Sequence, residues 1–363
     1  MSLSFENCTI ESPSQEAMAA TKARLDNLAK PPGSLGELEE IAIKLSGISG
    51  QTFYDVNKRC VIVFASDNGV VEENVSLAPQ GVTSALALGF AKGQTGCAVL
   101  ARQFGADVIV VDVGINSDSS HPFVKTRKIR KSTHNMSSGP AMSRDEAITA
   151  INTGIETVTH AAKNGYKLVG VGEIGIGNTT TSAAVLSSLC EIPPEMAVGK
   201  GAGLNSTSYK NKIDAVKRAL ELNSPNILDP IDVLSKVGGF DIAAMAGAYL
   251  GAAHLGVPVV VDGLISMTAA LVAYRLNPLV KDYMFASHKS NEPGYEIAAK
   301  SIGLLPCLNL NMRLGEGSGC PLMFAVMDAA CAVVREMGTF EEVCIDTSYV
   351  EAVKDEGFHI GGL

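Results

Sequence analysis

The sequence predicts an α/β protein, a parallel sheet flanked by helices, joined to a small helical domain. Four wholly apolar runs carry the prediction: CVIVFAS (60–66), DVIVVDVG (107–114), KLVGVGE (167–173) and VPVVVDG (257–263). Each is continuous rather than alternating, as strands buried on both faces are. Long helical stretches separate them, and Gly105, Gly165 and Gly256 stop helices just ahead of strands. Alternation of strand and helix makes parallel sheets. Ligands of such sheets collect at the carboxyl ends of the strands. Those ends are Ser66-Asp67-Asn68-Gly69, Asp112-Val113-Gly114, Gly172-Glu173 and Asp262-Gly263, each with an acid close to a glycine.

The helical stretches justify the rest of the layout. GVTSALALGFAKGQTGCAVLARQFG leads to the second strand, and SRDEAITAINTGIETVTHAAKNG leads to the third. Two amphipathic helices, ESPSQEAMAATKARLDNLAK and SLGELEEIAIKLSGI, open the chain around Pro31-Pro32-Gly33, and PLMFAVMDAACAVV begins a helical C-terminal segment. The chain's 363 residues suit two domains. The expected division is a helical part at 1–58, a large parallel α/β domain with the active site at 59–318, and a second helical part at 319–363.

Composition excludes several classes. Apolar residues make up 46% and charged residues only 18%, so the chain is not disordered. The net charge of −9 and the absence of any basic run beyond KTRKIRK (125–131) argue against a nucleic-acid partner. Residues 242–261 lack Asp, Glu, Lys and Arg, but Gly256 and Pro258 divide them into a helix and a short strand, so no membrane partner is expected. Eight cysteines without a CxxC read as reduced thiols, and the N-terminus lacks signal-peptide order, which fits a cytoplasmic enzyme. The six histidines have no metal-ligand spacing, so no metal is expected.

Three motifs carry chemistry. In GVGEIGIGNTTT (170–181) a strand runs into glycines and then into hydroxyl residues that open a helix. Glycines let backbone N–H groups approach an anion, and a helix N-terminus favours negative charge. Thr179 and Thr180 are also expected to cap that helix. VGKGAG (198–203) precedes NSTSYKNKIDAVKRAL, where Lys212 either reaches a phosphate or pairs with Asp214 or solvent on the surface. In RLGEGSG (313–319), Glu316 lies between two glycines: a solvated turn residue, or a base freed to reach into a cleft.

Together with KPPGSLGELE, ASDNGVVEENVS, GPAMSR, DVLSKVGGFDIAAMAG and VDGLISMTAAL, these motifs run in order from Lys30 to Gly319. The chain closely resembles the nicotinate-nucleotide–dimethylbenzimidazole phosphoribosyltransferases of cobamide (cobalamin) lower-ligand assembly. The resemblance implies a Rossmann-like sheet, a small helical domain built from both termini, and a dimer. It implies transfer of phosphoribose from nicotinate mononucleotide to an aromatic acceptor, with release of nicotinate and formation of an α-riboside phosphate, and no cofactor. It makes Glu316 the catalytic base. It assigns substrate binding to Glu173, Gly175, Gly177, Asn178, Thr179, Thr180, Gly201, Gly203, Lys212, Gly315 and Gly317, and an acceptor pocket to Ala78, Leu86 and Ile174.

Two departures bear on the acceptor. The family's Asp-His-Gly at the first strand end is Asp67-Asn68-Gly69 here. Where members that use 5,6-dimethylbenzimidazole tend to carry a Ser and a Gln, this chain has Ala78 and Leu86. A pocket without partners for ring nitrogens discriminates less in their favour, so phenol or p-cresol joins dimethylbenzimidazole as an expected acceptor. Some phenol-activating relatives pair two paralogous subunits, which leaves homodimer and heterodimer both open. The alternative is a catalytically weak paralogous subunit, against which the intact RLGEGSG argues. A nicotinamide-dependent dehydrogenase lacks support, because no GxGxxG follows the first strand.

Overall fold

The computed structural model describes residues 3–118, 121–201 and 205–346. It divides the chain into two compact units. One comprises the residues through Glu11 and Lys58–Met323, the other Ser12–Asn57 and the residues from Phe324 onward.

The smaller unit opens with α1 (Gln15–Asn27), capped by Ser14, whose hydroxyl accepts from the Ala17 N–H, and α2 (Glu37–Ser49). In the KPPGSLGELE link, Lys30 Nζ meets Glu39 Oε1 at 2.8 Å with both side chains buried. The same Glu39 oxygen accepts from the Leu35 N–H at 3.0 Å. Removing one member of such a pair would leave a buried charge uncompensated, so the link is fixed in shape.

The larger unit begins with β1 (Arg59–Ser66), α3 (Gly81–Ala91), α4 (Gly96–Gln103), β2 (Ala106–Gly114) and β3 (Val124–Thr126). Then come α5 (Arg144–Lys163), β4 (Leu168–Ile174), α6 (Asn178–Leu189), α7 (Pro194–Ala197), α8 (Ser206–Asn223) and α9 (Pro230–Val237). It continues through α10 (Phe240–His254), β5 (Val259–Val261), α11 (Leu264–Leu276), β6 (Met284–Ala286) and α12 (Tyr295–Ile302). The last helix, α13 (Cys320–Glu336), begins in the larger unit and ends in the smaller.

The six strands form one sheet in the order β3-β2-β1-β4-β5-β6, parallel at every pairing. The α/β expectation holds, and the order is that of the doubly wound dinucleotide-binding sheet. All four apolar runs contain strands. The three-residue edge strands β3 and β6 were not foreseen. The stretch expected as one helix over 81–105 is two, broken where Gly93 adopts φ 70° and Thr95 caps α4.

Residues 242–261 resolve into α10 and β5. Every α10 residue from Phe240 to Ala253 is buried, as a helix apolar all round must be. No helix among the described residues is long and apolar enough to cross a membrane. In the basic run, Lys128 pairs with Asp112 (3.1 Å), Arg130 with Glu146 (2.8 Å) and Lys131 with Asp118 (2.5 Å), so acids of the same unit absorb most of its charge.

Helices α5 and α10 touch backbone to backbone. A Cβ on Gly154 would run into the Ala244 carbonyl, and one on Gly247 into the Ile151 carbonyl. Overpacking of this kind costs about 1–3 kcal/mol. Gly154→Ala is therefore expected to lower unfolding free energy by that amount in denaturant titration, and unchanged stability would contradict the contact.

Candidate active site

The chain leaves β1 toward β2 on one side, whereas β4 leads to β5 on the other. The crevice at this reversal is the expected binding point of an open α/β sheet. A cavity of about 570 Å³ occupies it, and the larger unit supplies its whole lining.

The floor is the end of β4. Glu173 is buried there, and beyond it Gly175 packs so closely on β1 that a Cβ would strike the Ser66 carbonyl. The loop turns at Gly177 (φ 93°) and enters α6 at Asn178. Thr83 fixes the turn, its hydroxyl accepting from the Ile176 N–H (3.1 Å) and donating to Asp67 Oδ1 (2.6 Å). Asp67, buried at the end of β1, acts behind the cavity rather than in it.

Asn178 joins two acids across the floor. Its amide donates to Glu173 Oε2 and, at 3.2 Å, to Asp241 Oδ2. Both carboxyls are removed from water. Burial first, then the nearby Asp241, pushes Glu173 up to about 8, and burial pushes Asp241 up to about 7.

The anion-binding end lies at the start of α6. Lys212 of α8 is 1% exposed, so the surface reading of this lysine fails. Its ammonium donates to Thr179 Oγ1 at 2.8 Å and to the Gly199 carbonyl at 3.3 Å. Burial lowers Lys212 to about 8, against the opposing field of Glu292. Gly201 closes against the same atoms, where a Cβ would lie 3.4 Å from Thr179 Oγ1 and 3.6 Å from Lys212 Nζ. The threonines do not cap α6. Its N-cap is Gly177, Thr179 is taken by Lys212, and Thr180 is fully buried with no partner for its hydroxyl oxygen.

Glu316 stands on the opposite wall, between Gly315 and Gly317. All three adopt left-handed φ, 78°, 66° and 80°. Its backbone N–H donates to Glu173 Oε1 at 3.2 Å, while the Gly317 and Gly319 N–H groups donate to Asp262 at 2.9 and 2.7 Å. The Glu316 side chain lines the cavity, is 9% exposed and has a buried Oε2 without a hydrogen-bond partner. Burial and then the charge of Asp262 raise its pKa, against the Cys97 backbone N–H at the start of α4.

The cavity gathers Glu173, Ile174, Gly175, Gly177, Asn178, Thr179, Gly201, Lys212, Gly315 and Glu316, together with Ala78 and Leu86. Thr180 and Gly317 lie behind its wall, and Gly203 falls outside the described residues. The apolar lining includes Val75, Val82, Leu86, Ile174, Ile176 and Leu314. The Ser76 hydroxyl there is spent on its own turn, bonded to both N–H and C=O of Ala78. Sequence reasoning missed Ser290 and Glu292, which line the polar end. The polar run SHKSNEPG after the unrecognised strand β6 was their one available signal.

The floor acids make stability depend on pH. Folding raises both pKa values, so the stability they contribute is fully present below their unfolded values and lost as pH rises through the folded ones. For Glu173 that window runs from 4.5 to about 8. Asp241→Asn is expected to flatten the decline in unfolding free energy between pH 5 and 8; equal slopes in mutant and wild type would contradict the buried pair.

Comparisons with known proteins show the family. A family model described as phosphoribosyltransferase matches residues 10–345. The nicotinate-nucleotide–dimethylbenzimidazole phosphoribosyltransferase of Clostridium perfringens is 54% identical over 351 residues, covering 97% of each chain. Its counterpart in Clostridium tetani is 48% identical over 343 residues, covering 94% of this chain and 95% of that one. The crystal structure of the Thermus thermophilus enzyme of the same name aligns with a TM-score of 0.87 at 37% identity, over 92% of this chain and 99% of that chain. With sequence and fold in accord over nearly the whole length, the chain belongs to the nicotinate-nucleotide–dimethylbenzimidazole phosphoribosyltransferase family.

Proposed function

We propose that the chain transfers phosphoribose from nicotinate mononucleotide to an aromatic acceptor, releasing nicotinate and forming an α-riboside phosphate. One observation carries the reading. An anion-binding helix start with a buried lysine and a half-desolvated carboxylate face each other across a single cavity. The phosphate sits against the α6 start, where backbone N–H groups, Thr179 and Lys212 donate to it. Glu173 holds the ribose hydroxyls; raised to about 8, it keeps its proton at neutral pH and donates as well as accepts.

The bond from C1′ to the nicotinate ring nitrogen breaks with its electron pair going to that nitrogen. The positive charge of the pyridinium is discharged, which makes nicotinate a good leaving group. The acceptor atom bonds to C1′ from the opposite face, and Glu316 removes the acceptor proton as that bond forms. Burial and the Asp262 charge make Glu316 a stronger base than a solvated glutamate.

The acceptor end favours a ring with one polar atom. Ala78 and Leu86 offer apolar contact, and the Ser76 hydroxyl is engaged in its own turn. A second ring nitrogen left poorly satisfied there costs about 1–3 kcal/mol. A phenol needs only its oxygen to face Glu316, so phenol and p-cresol are acceptors alongside 5,6-dimethylbenzimidazole. We assign the working form to a cytoplasmic dimer, either of two copies or with a paralogous partner.

Incubation of the purified chain with nicotinate mononucleotide and a panel of benzimidazoles and phenols, read by mass spectrometry, tests the reading. Absence of any riboside phosphate, with a paralogous partner supplied, would defeat it. Glu316→Gln is expected to lower turnover by about 10²–10⁴, and a folded variant within a few-fold of wild type would sink the base assignment. Lys212→Ala is expected to weaken calorimetric binding of the nucleotide far more than binding of the free acceptor. Leu86→Gln is expected to shift relative catalytic efficiency toward dimethylbenzimidazole; an unchanged ratio would remove Leu86 from the acceptor pocket.

A further inference from the structure

Glu316 occupies a conformation that its own chemistry disfavours. A side chain at φ 66° brings Cβ against the following carbonyl, and both neighbouring residues share the left-handed turn. Local chain bonds supply little to hold it: Ser318 N–H to the Gly315 carbonyl at 3.0 Å and Cys320 N–H to that of Gly317 at 3.1 Å. The Cys97 N–H holds the Glu316 carboxylate, and two carboxylates at strand ends hold the backbone. Glu173 takes the Glu316 N–H. Asp262, just after β5, takes two, with Oδ2 on Gly317 (2.9 Å) and Oδ1 on Gly319 (2.7 Å).

Asp262 is 1% exposed and does not line the cavity, so any effect on the reaction passes through what it holds. The seat is closely fitted. A Cβ on Gly319 would strike His288 Nδ1 and lie 2.8 Å from Asp262 Oδ1, and one on Gly172 of β4 would lie 2.7 Å from the Glu316 carbonyl carbon.

We infer that Asp262 is the positioning residue of this site: its carboxylate clamps the glycine loop by the backbone amides of Gly317 and Gly319 and fixes Glu316 in the cavity. The inference rests on Glu316 being the base. A second effect accompanies the clamp. The groups facing Asp262 are His288, whose Nδ1 lies 3.8 Å from Oδ1, Cys97 of α4, Cys320 of α13, Tyr249 of α10, Tyr295 of α12, Glu173 of β4 and Glu316 itself. Against Glu316 the Asp262 charge raises proton affinity. One carboxylate thus sets both the place and the strength of the base.

Asp262→Asn separates these effects from simple loss of structure. The amide turns an NH₂ toward one of the two N–H donors and removes the charge. Displacement of a reacting group by about 1 Å can cost about 10²-fold. The variant is expected to lose about 10- to 100-fold in kcat with less than a threefold change in KM for nicotinate mononucleotide, since the α6 end is untouched. The acidic limb of its kcat/KM profile is expected to move to lower pH. Added to Glu316→Gln, it is expected to cause no further loss.

Wild-type kcat, an unmoved acidic limb, or full multiplicative loss in the double variant would each overturn the inference. Should Asp262→Asn not fold, NMR of wild-type protein labelled with ¹⁵N-glycine keeps the test open. Downfield-shifted, slowly exchanging Gly317 and Gly319 amides support the clamp, and exchange at the rate of an exposed loop overturns it. An active Glu316→Gln enzyme would count against the base assignment alone, and the amide measurement would still judge the clamp.

Discussion

β1 and β4 lie side by side, yet the chain from one turns back over β2 while the chain at the other continues to β5. The gap between their ends is the constraint on which the rest depends. Backbone fills its rim so tightly that the Gly175 loop rests on the Ser66 carbonyl. The acids of the site reach the gap from strand ends or from turns tied to them. Glu173 belongs to β4, Asp67 follows β1 and ties the α6 entrance through Thr83, and Asp262 follows β5 and ties the Glu316 turn. The geometry of the sheet thereby becomes the geometry of the site.

The electrostatics follow from that burial. Glu173, Asp241, Asp262 and Glu316 are all raised, each first by removal from water, and among the described lining residues Lys212 is the buried cation. The ribose carbon gains positive character as the leaving group departs, and the Glu316 carboxylate on the cavity wall suits that charge. A lysine at the far end meets the anionic part of the same substrate.

Much of this was legible in the chain. Continuous apolar runs exposed β1, β2, β4 and β5, because strands covered on both faces tolerate little else. The edge strands β3 and β6 escaped for opposite reasons. Val124–Thr126 sits in a charged, partly exposed stretch, and Met284–Ala286 is too short to show a period. The glycine loops and Glu316 stood out in the sequence, and the structure brings them to one cavity. Which residue caps α6 was misread, since a left-handed Gly177 takes the N-cap position and no side chain caps the helix. Contacts made by distant segments left no local trace. Nothing near Asn178 points to Asp241, and nothing near Lys212 points to Glu292. Such pairs exist only once the sheet has brought their elements together.

The bonds from Lys212 to Thr179 and Gly199 have a consequence for affinity. A lysine on the surface keeps many rotamers and surrenders them when it grips a ligand, a loss of about 1.5–2 kcal/mol. Here the side chain is already threaded through packed structure, with its ammonium held by two oxygens that need no ligand. That entropy is lost when the chain folds, not when a nucleotide arrives. The ammonium is preorganised, and under the proposed function its grip on a phosphorylated sugar is prepared by the folding of the chain itself.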